Sequence, residues 1–492
     1  MSTSSINQKI WSMATHLMNE GVSNSDYLEQ LTYLLFLKMA DEYNRPPYNR
    51  NIGIPDNCSW DSLKTKNGAE LFEHYKYILD TLARQSGTLQ QIYTGAQNKI
   101  GTPAVLFKII QLIDAENWSA MSSDVKGDIY EGLLAKIAED TKTGAGQYFT
   151  PRALINAMVK CVRPAAGQTI ADPCCGSGGF LLASKDFIIN NYKLNRDEKE
   201  FLKYKTFRGW EIVQSTYRLC LMNLFLHNIS DFEGVPPIIR NDSLLSDPGE
   251  RFDYVLTNPP FGKKSALTFT NEEGEQEQED LVYNRQDFCA TTSNKQLNFV
   301  QHIRTILKTS GTAAVVVPDN VLFEGGAGET VRKKLLETTD LHTILRLPTG
   351  IFYAQGVKAN VIFFENKTAS PTHQTKEVWI YDYRTNIKCT LKKNPLKESD
   401  LDDFVHCYNP ENRHNRKETW SSENPFGRWR KYSYQEIISR DKTSLDISWI
   451  KSGEDTVDYS LTELMTMIEE KSRNIASAVN SLKEIIGNIE EN

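Results

Sequence analysis

The chain has 492 residues and a formal net charge of −7, which allows two or three domains but argues against a basic surface that grips duplex DNA unaided. No run approaches about 18 apolar residues, and the N-terminus lacks the layout of a signal peptide, so we expect a cytoplasmic protein without a membrane span. The 8 cysteines are scattered without a CxxC pair, which favours free thiols and no metal site.

Residues 1–140 are predicted to form an N-terminal helical domain. Pro and Gly residues at 46–55 interrupt the helices with a loop. Apolar residues recur at helical spacing in two places: Leu28, Leu31, Leu34, Leu35 and Met39, and again Tyr130, Leu133, Leu134 and Ile137.

The segment 144–152 places two glycines before an aromatic pair and a Thr-Pro-Arg sequence. Thr150 is suited to cap a helix whose first residue is Pro151. On its own this segment indicates only a well-capped helix start.

A glycine-rich turn follows a short apolar run that ends in Asp172, and the sequence then continues into an apolar helix. Gly176, Gly178 and Gly179 would let the backbone pass close to a ligand, with amides facing it at the helix N-terminus. The turn is neither a Walker A loop nor the six-residue glycine motif of NAD enzymes. It therefore predicts a ligand-binding loop of another class at the end of a strand.

The segment 205–211 ends in a carboxylate, Glu211. An acid at the end of the second strand of an open α/β sheet can accept hydrogen bonds from ribose hydroxyls. Its separation from Asp172 is longer than usual, and a long charged helix over residues 185–205 would account for the excess. The alternative is a surface Glu that starts a helix at 212–227.

A further acidic turn, Asn241-Asp-Ser-Leu244, precedes the next predicted strand. Asp242 could accept a hydrogen bond from an adenine amino group, and Leu244 could pack on its ring. Asp-Ser is common in turns of every kind, so this motif indicates little alone.

The strand at 252–257 ends in Asn258-Pro-Pro-Phe261. The side-chain oxygen of Asn258 and the backbone carbonyl of Pro259 can both accept from one NH2 group. Two such acceptors favour the charge that develops on a conjugated nitrogen during its methylation. The two prolines stiffen the loop, and Phe261 offers a flat face for stacking. The alternative is a Pro-rich turn.

From about residue 150 to 365, short β-rich runs alternate with amphipathic segments, which predicts a mostly parallel α/β sheet. Ligands of such sheets bind at the carboxyl ends of the strands, and all the motifs above fall at such ends or at flanking turns. The acidic stretch 271–280 is predicted to be a mobile surface loop. The later strands are predicted at 313–317, 343–347 and 360–364.

The C-terminal region carries apolar residues at alternating spacings of four and three, interrupted by one polar residue, Ser472. This heptad pattern predicts a helix that either packs on its own domain or docks on a partner. Its positions are Leu461, Met465, Ile468, Ser472, Ile475, Val479, Leu482, Ile486 and Ile489.

The segments 147–152, 172–180 and 258–262, in this order, resemble the γ-class N6-adenine DNA methyltransferases. They are most similar to the modification subunits of type I restriction–modification systems. The resemblance implies an α/β, Rossmann-like S-adenosylmethionine-dependent methyltransferase sheet with an N-terminal helical domain and a C-terminal helical tail. The expected domains are 1–140 (helical), 141–400 (catalytic) and 401–492 (a region ending in the heptad helix for subunit docking).

The resemblance also implies roles for individual residues, with S-adenosylmethionine as methyl donor and no metal. Phe352 is a candidate second stacking face for the target base. The catalytic residues would be Asn258, Pro259, Pro260 and Phe261. The cofactor-binding residues would be Gln147, Tyr148, Phe149, Thr150, Pro151, Arg152, Asp172, Pro173, Gly176, Ser177, Gly178, Gly179, Phe180, Glu211, Asp242, Ser243 and Leu244.

The expected partners are double-stranded DNA, a specificity subunit shared by two modification subunits, and a restriction subunit in the full complex. The acidic net charge agrees with a separate subunit that supplies the grip on DNA. The reaction would be site-specific adenine-N6 methylation that protects host DNA from restriction. The alternatives are a solitary DNA methyltransferase, a methyltransferase acting on RNA or a protein amide, and an assembly subunit whose catalytic pocket has lapsed.

Overall fold

The computed structural model describes residues 15, 17–18, 22–50, 52–121, 130, 132, 150–231, 234–262, 266–270, 276–280, 282–352, 357–391 and 393–451. The described residues up to Ser448 belong to one compact unit. The predicted heptad positions between 461 and 489, and Leu133, Leu134 and Ile137 of the second apolar pattern, lie outside the described residues.

The N-terminal part of the described chain is helical, as predicted. The helix Asn24–Tyr43 begins after Ser23, whose hydroxyl accepts from the amide of Asp26, and all five predicted apolar residues between Leu28 and Met39 are buried. It ends at Tyr43, before the predicted loop at Pro46 and Pro47. The helices are α1 (Asn24–Tyr43), α2 (Trp60–Lys64), α3 (Gly68–Leu82), α4 (Gly87–Tyr93) and α5 (Pro103–Asp114).

The centre of the molecule is a 9-stranded sheet in the order β11-β10-β8-β9-β7-β4-β1-β2-β3. Five of its eight strand pairs are parallel, which confirms the prediction of a mostly parallel sheet. The antiparallel pairs are β7–β9, β8–β9 and β10–β11. The strands are β1 (Ile170–Asp172), β2 (Phe207–Trp210), β3 (Ile238–Ile239), β4 (Phe252–Thr257), β7 (Leu307–Pro318), β8 (Thr339–Arg346), β9 (Ala359–Asn366), β10 (Glu377–Asp382) and β11 (Trp429–Ser433).

Helices connect and cover these strands, in keeping with crossover connections between parallel strands. The edge strand β11 shows that the sheet continues past residue 400. The helices are α6 (Arg152–Val162), α7 (Gly179–Asn191), α8 (Arg196–Tyr204), α9 (Gln214–Leu226), α10 (Lys295–Ile306), α11 (Asp319–Phe323), α12 (Ala327–Thr338), α13 (Asp402–Tyr408) and α14 (Tyr434–Ile438).

The predicted single helix over residues 185–205 is wrong, because the segment forms two helices, α7 and α8. Asn195 ends the intervening loop with a capping box. Its side-chain oxygen accepts from the amide of Glu198 at 2.9 Å, and the Glu198 carboxylate accepts from the Asn195 amide at 2.8 Å. A reciprocal cap of this kind fixes a helix start, so the charged pattern could not continue as one helix.

The prediction of a mobile loop at 271–280 is wrong for its second half. Residues Gln276–Asp280 form strand β6, which pairs antiparallel with β5 (Ala266–Thr270) as a separate two-stranded sheet. The acidic composition of β6 does not predict a strand. Its partner β5 has the β-prone sequence Ala-Leu-Thr-Phe-Thr, and pairing with this strand accounts for the extended conformation of β6. Residues 271–275 lie outside the described part of the chain.

Helix α9 joins the N-terminal helices to the sheet region. The Arg218 guanidinium is buried, forms an ion pair with Glu29 and donates to the Thr94 carbonyl at 2.8 Å. Phe225 packs against Phe36, with ring centroids 5.3 Å apart. These contacts give the N-terminal helices and the sheet region a common core.

Candidate active site

Three of the sequence motifs, those containing Asp172, Glu211 and Asn258, meet at one edge of the sheet. Strands β4, β1 and β2 are adjacent and parallel, so their carboxyl ends lie side by side. Asp172 is the last residue of β1, Glu211 follows β2 and Asn258 follows β4. A cavity of about 430 Å³ opens there, and residues of all three motifs line it.

Most predicted site residues line this cavity, and a few do not. Pro151, Gly178, Pro259, Phe261 and Phe352 are not among its lining residues, and Gln147, Tyr148 and Phe149 lie outside the described residues. The predicted residues that do line it are Thr150, Arg152, Asp172, Pro173, Gly176, Ser177, Gly179, Phe180, Glu211, Asp242, Ser243, Leu244, Asn258 and Pro260.

The glycine-rich turn lies tightly against helices α6 and α9. Gly178 has φ +88°, and a Cβ atom there would lie 3.1 Å from the Cys220 sulfur. A Cβ atom at Gly179 would lie 3.0 Å from Cδ1 of Ile155. Helix α7 begins at Gly179, so its free N-terminal amides lie at the turn. The turn therefore needs glycine both for its backbone conformation and for space.

Two buried carboxylates stand beside this turn. Asp172 is 1% exposed, and its Oδ1 accepts from the Cys174 amide at 3.0 Å. Its Oδ2 makes no hydrogen bond of ordinary geometry among the described residues, although the nearby Thr257 hydroxyl acts to lower the pKa of this carboxyl. Burial raises the pKa of Asp172 to about 7, and the neighbouring Glu211 adds to this rise. Burial also raises the pKa of Glu211, whose Oε1 accepts from the Val213 amide at 2.8 Å. Both carboxylates would gain from a ligand that brings donors or positive charge.

The third acidic residue, Asp242, is held in a local network. Its Oδ1 accepts from the Leu244 amide at 2.9 Å, and its Oδ2 accepts from the Tyr283 hydroxyl at 2.7 Å. The Ser243 hydroxyl donates to the Pro173 carbonyl at 2.9 Å, which ties this turn to the glycine-rich turn. Leu244 packs in a small apolar cluster that includes Phe299. This wall of the cavity is thus apolar with an acidic rim.

The Asn258 side chain has one satisfied end and one free end. Its Nδ2 donates to the Thr150 hydroxyl at 2.9 Å, whereas its Oδ1 is buried and accepts from no group among the described residues. The loop after it is anchored by Gln296, whose Nε2 donates to the Gly262 carbonyl at 2.9 Å and approaches the Pro260 carbonyl at 3.5 Å. A buried acceptor without a donor costs free energy unless a ligand supplies one.

The hydroxyl of Thr150 corrects one expectation. Helix α6 begins at Arg152, with Pro151 at its N-cap and without a side-chain capping bond. Thr150 therefore does not cap this helix. Its hydroxyl is engaged by Asn258 instead, and the Pro151 carbonyl accepts from the amides of Leu154 and Ile155.

The two candidate stacking rings contact each other. The centroids of Phe261 and Phe352 are 5.1 Å apart and their planes make an angle of 76°, an edge-to-face pair. Phe352 is buried and Phe261 is partly buried. In this arrangement the rings do not form two parallel walls, so a base can stack on one of them only from outside the pair.

Several residues of the site carry no sequence signal. Asn223, Tyr283, Lys295 and Phe299 line the cavity but belong to no recognisable motif. Phe299 sits within the periodic pattern of α10, where an aromatic residue is usually core, and Tyr283 follows the acidic stretch. Only their tertiary placement distinguishes them from packing residues. No helix in the described ranges combines the length and hydropathy that crossing a bilayer requires.

Comparison with known proteins assigns the chain to a family. A family model described as N-6 DNA Methylase matches residues 121–448, and one described as HsdM N-terminal domain matches residues 6–113. The StySJI type I restriction enzyme methylase subunit of Salmonella typhimurium is 36% identical over 523 aligned positions, which cover 99% of this chain and 95% of the relative. The EcoKI methylase subunit of Escherichia coli K12 is also 36% identical, with 99% and 95% covered.

Solved structures agree with this assignment. The crystal structure of the EcoKI M protein is 32% identical, with a TM-score of 0.54 over 98% of this chain and 96% of that chain. A chain from a study of complex assembly in the type I restriction–modification system has a TM-score of 0.76 at 26% identity, with 99% of each chain covered. The α/β methyltransferase fold and the resemblance inferred from the motifs are confirmed. This chain belongs to the N-6 DNA methylase family, among the methylase subunits of type I restriction enzymes, and is an adenine-specific DNA methyltransferase.

Proposed function

We propose that this chain transfers a methyl group from S-adenosylmethionine to N6 of an adenine flipped out of duplex DNA. The observation that carries the proposal is the buried Oδ1 of Asn258 beside the glycine-rich turn, which has no hydrogen-bond donor within the described part of the chain. An amino nitrogen conjugated with a ring is a poor nucleophile. Acceptors for its two hydrogens increase its electron density and stabilise the positive charge that develops on it.

The cavity suits S-adenosylmethionine, which supplies an activated methyl group on a sulfonium. Three buried polar atoms without partners among the described residues belong to lining residues: Oδ2 of Asp172, Oδ1 of Asn223 and Oδ1 of Asn258. The glycine-rich turn lets backbone amides approach the ligand closely. We assign the ribose hydroxyls to Glu211, and the adenine ring to Asp242 and Leu244. The other predicted cofactor residues would complete the site. The segment 147–152 would lie at the methionine end, with the Thr150 hydroxyl on Asn258 and not on the cofactor.

The target adenine would be held by two acceptors and one ring. Asn258 Oδ1 and the Pro259 carbonyl would each accept from the N6 amino group, and Phe261 would stack on the base. The prolines restrict the loop, so the acceptors are in place before the base arrives. After transfer N6 is cationic and acidic, and its proton can leave to water. Phe352 would support Phe261 edge-on.

We further propose that the chain acts within a larger assembly on double-stranded DNA. A specificity subunit would read the sequence and bind two copies of this chain, and a restriction subunit would join the full complex. The net charge of −7 supports this division, since an enzyme that bound DNA unaided would need a basic surface. The relatives' names and the matched ranges 6–113 and 121–448 support a helical domain followed by a catalytic domain. The heptad region would dock on the specificity subunit.

The proposal is tested by tritiated methyl transfer to duplex DNA, with the chain alone and with the chain co-purified with a specificity subunit. We expect N6-methyladenine only from the complex. Transfer by the chain alone would favour a solitary methyltransferase. Methyl incorporation into RNA or protein but not DNA would overturn the proposal, as would cofactor binding without transfer to any substrate.

Replacing Gly178 with alanine should weaken binding of S-adenosylmethionine by about tenfold. Alanine is strained at the positive φ of this position, and its Cβ would be crowded against the Cys220 sulfur, so the turn would shift. Returning it to the conformation that binds the cofactor would cost about 1–2 kcal/mol. Calorimetric titration of the cofactor measures the effect. The matched control is Gly249→Ala, since Gly249 has φ +74° but open space around its Cβ position. This control should lose stability and keep its cofactor affinity; equal loss of affinity in both variants would refute the argument.

A further inference from the structure

The contact between Thr150 and Asn258 joins two motifs that are 108 residues apart in the sequence. Thr150 precedes helix α6, and Asn258 follows strand β4. Both residues line the cavity. The resemblance and the capping rules assign Thr150 to the cofactor or to a helix start, and neither role explains why its hydroxyl is bonded to the proposed catalytic amide.

The geometry decides what this hydroxyl does to Asn258. An amide can present either its oxygen or its NH2 group to a substrate, since a rotation by about 180° exchanges them. With Nδ2 on Thr150, Oδ1 is the end of the amide that receives no hydrogen bond from any residue that the structure describes. The opposite orientation would bring the NH2 group of Asn258 against the NH2 group of adenine, and two donors cannot pair.

We propose that Thr150 is a positioning residue that holds the Asn258 amide with its oxygen toward the substrate. This inference rests on the proposed function and goes beyond it, because it gives Thr150 a role in the transfer step through Asn258. The hydroxyl can pair with either end of the amide, but pairing with Oδ1 would turn the Asn258 NH2 group toward the NH2 group of the substrate. The observed pairing, Nδ2 to the Thr150 hydroxyl, is the one that satisfies both this contact and the substrate. Thr150 is the only group among the described residues that is hydrogen-bonded to the Asn258 side chain.

A separate residue anchors the backbone of the same loop. Gln296, on helix α10 and 2% exposed, donates to the carbonyls of Gly262 and Pro260. The loop backbone therefore keeps its place when the Thr150 contact is removed. Loss of Thr150 should thus release the Asn258 side chain alone, which makes its effect separable from collapse of the loop.

The test compares Thr150→Val with Thr150→Ser in the complex with the specificity subunit. Valine has nearly the shape of threonine but no acceptor, whereas serine keeps the hydroxyl. We expect Thr150→Val to lower kcat by about 10- to 100-fold, the effect of a misplaced reacting group. Thr150→Ser should restore kcat to within about threefold of the original protein. The dissociation constant of S-adenosylmethionine and KM for DNA should stay within about twofold in both variants.

Two results would overturn the positioning role. One is Thr150→Val with unchanged kcat. The other is a loss of cofactor affinity that accounts for the whole decrease in rate, which would return Thr150 to the cofactor site. Fluorescence of 2-aminopurine at the target position reports whether the base is flipped out of the duplex. A structural defect in the active-site loop would disturb base flipping, whereas we expect Thr150→Val to retain it. If the unmodified complex forms no N6-methyladenine, the proposed function fails, and that outcome is distinct from a failure of the Thr150 variants alone.

Discussion

Replacing Asn258 with alanine is expected to lower kcat by about 10²- to 10³-fold and to leave S-adenosylmethionine binding nearly unchanged. The substitution removes the buried Oδ1 acceptor, so the amino nitrogen of the target loses one of its two proposed hydrogen-bond partners. The Thr150 hydroxyl also loses the Nδ2 donor that it accepts from. The loss should fall on the transfer step, because the acceptor matters most when positive charge develops on N6.

Single-turnover transfer of tritiated methyl groups, combined with calorimetric titration of the cofactor, measures this effect. Asn258→Asp provides a second variant that keeps an acceptor but adds a charge, so we expect a rate between those of the alanine variant and the original protein. The matched control is Asn57→Ala, since Asn57 is an exposed residue of the N-terminal region bonded to Tyr77. Retention of more than about a tenth of kcat in Asn258→Ala would remove Asn258 from the catalytic assignment.

The sequence predicts the centre of the site well because each main residue follows a parallel strand. Asp172, Glu211 and Asn258 stand at the ends of β1, β2 and β4, and those ends meet wherever such strands are neighbours. The strand-end rule therefore turns three distant motifs into one cavity without knowledge of side-chain packing. The sequence also predicts the backbone conformation at Gly178, since few residues other than glycine adopt the positive φ found there.

The parts that the sequence does not predict depend on contacts between distant residues. Gln296 lies within the ordinary pattern of α10, and only the fold shows that its amide reaches the loop after Asn258. Likewise, only the fold shows that the Tyr283 hydroxyl donates to Asp242. For Thr150 the sequence predicts a helix cap, because Thr before Pro normally indicates one. The prediction is wrong because the Thr150 hydroxyl accepts a hydrogen bond from Asn258, which is distant in the sequence. Strand β6 was missed because its composition is typical of a loop.

Replacing Asp172 with asparagine should have opposite effects on stability and on function. Burial raises the pKa of Asp172 from 3.8 to about 7 in the folded protein. Between these values the folded state binds a proton that the unfolded state does not, so this residue's stabilising contribution is full below about pH 4 and is lost as the pH rises through about 7. Asparagine cannot ionise and removes this loss, whereas the proposed cofactor site loses its carboxylate.

We therefore expect the ligand-free Asp172→Asn variant to exceed the original protein in stability at pH 8, with a difference that shrinks toward pH 4. Urea denaturation of both proteins across this range measures the difference. Other carboxyls, such as Asp61 beside Lys64 and Asp247 beside Arg251, have a pKa that hydrogen bonds to cations lower. Their effect on the pH dependence of stability is the same in both proteins, so it cancels in the difference.

In Asp172→Asn the decrease in stability with rising pH should be smaller but still present, because burial also raises the pKa of Glu211. Cofactor affinity of Asp172→Asn should decrease by about tenfold or more, the cost of one charge-assisted hydrogen bond. A variant that is no more stable at pH 8 would mean that Asp172 carries no burial cost when it is ionised. A variant that gains stability and keeps full cofactor affinity would mean that Asp172 does not serve the cofactor. If Asp172 is buried in order to bind the cofactor, its replacement should therefore increase the stability of the ligand-free protein and decrease its affinity for the cofactor.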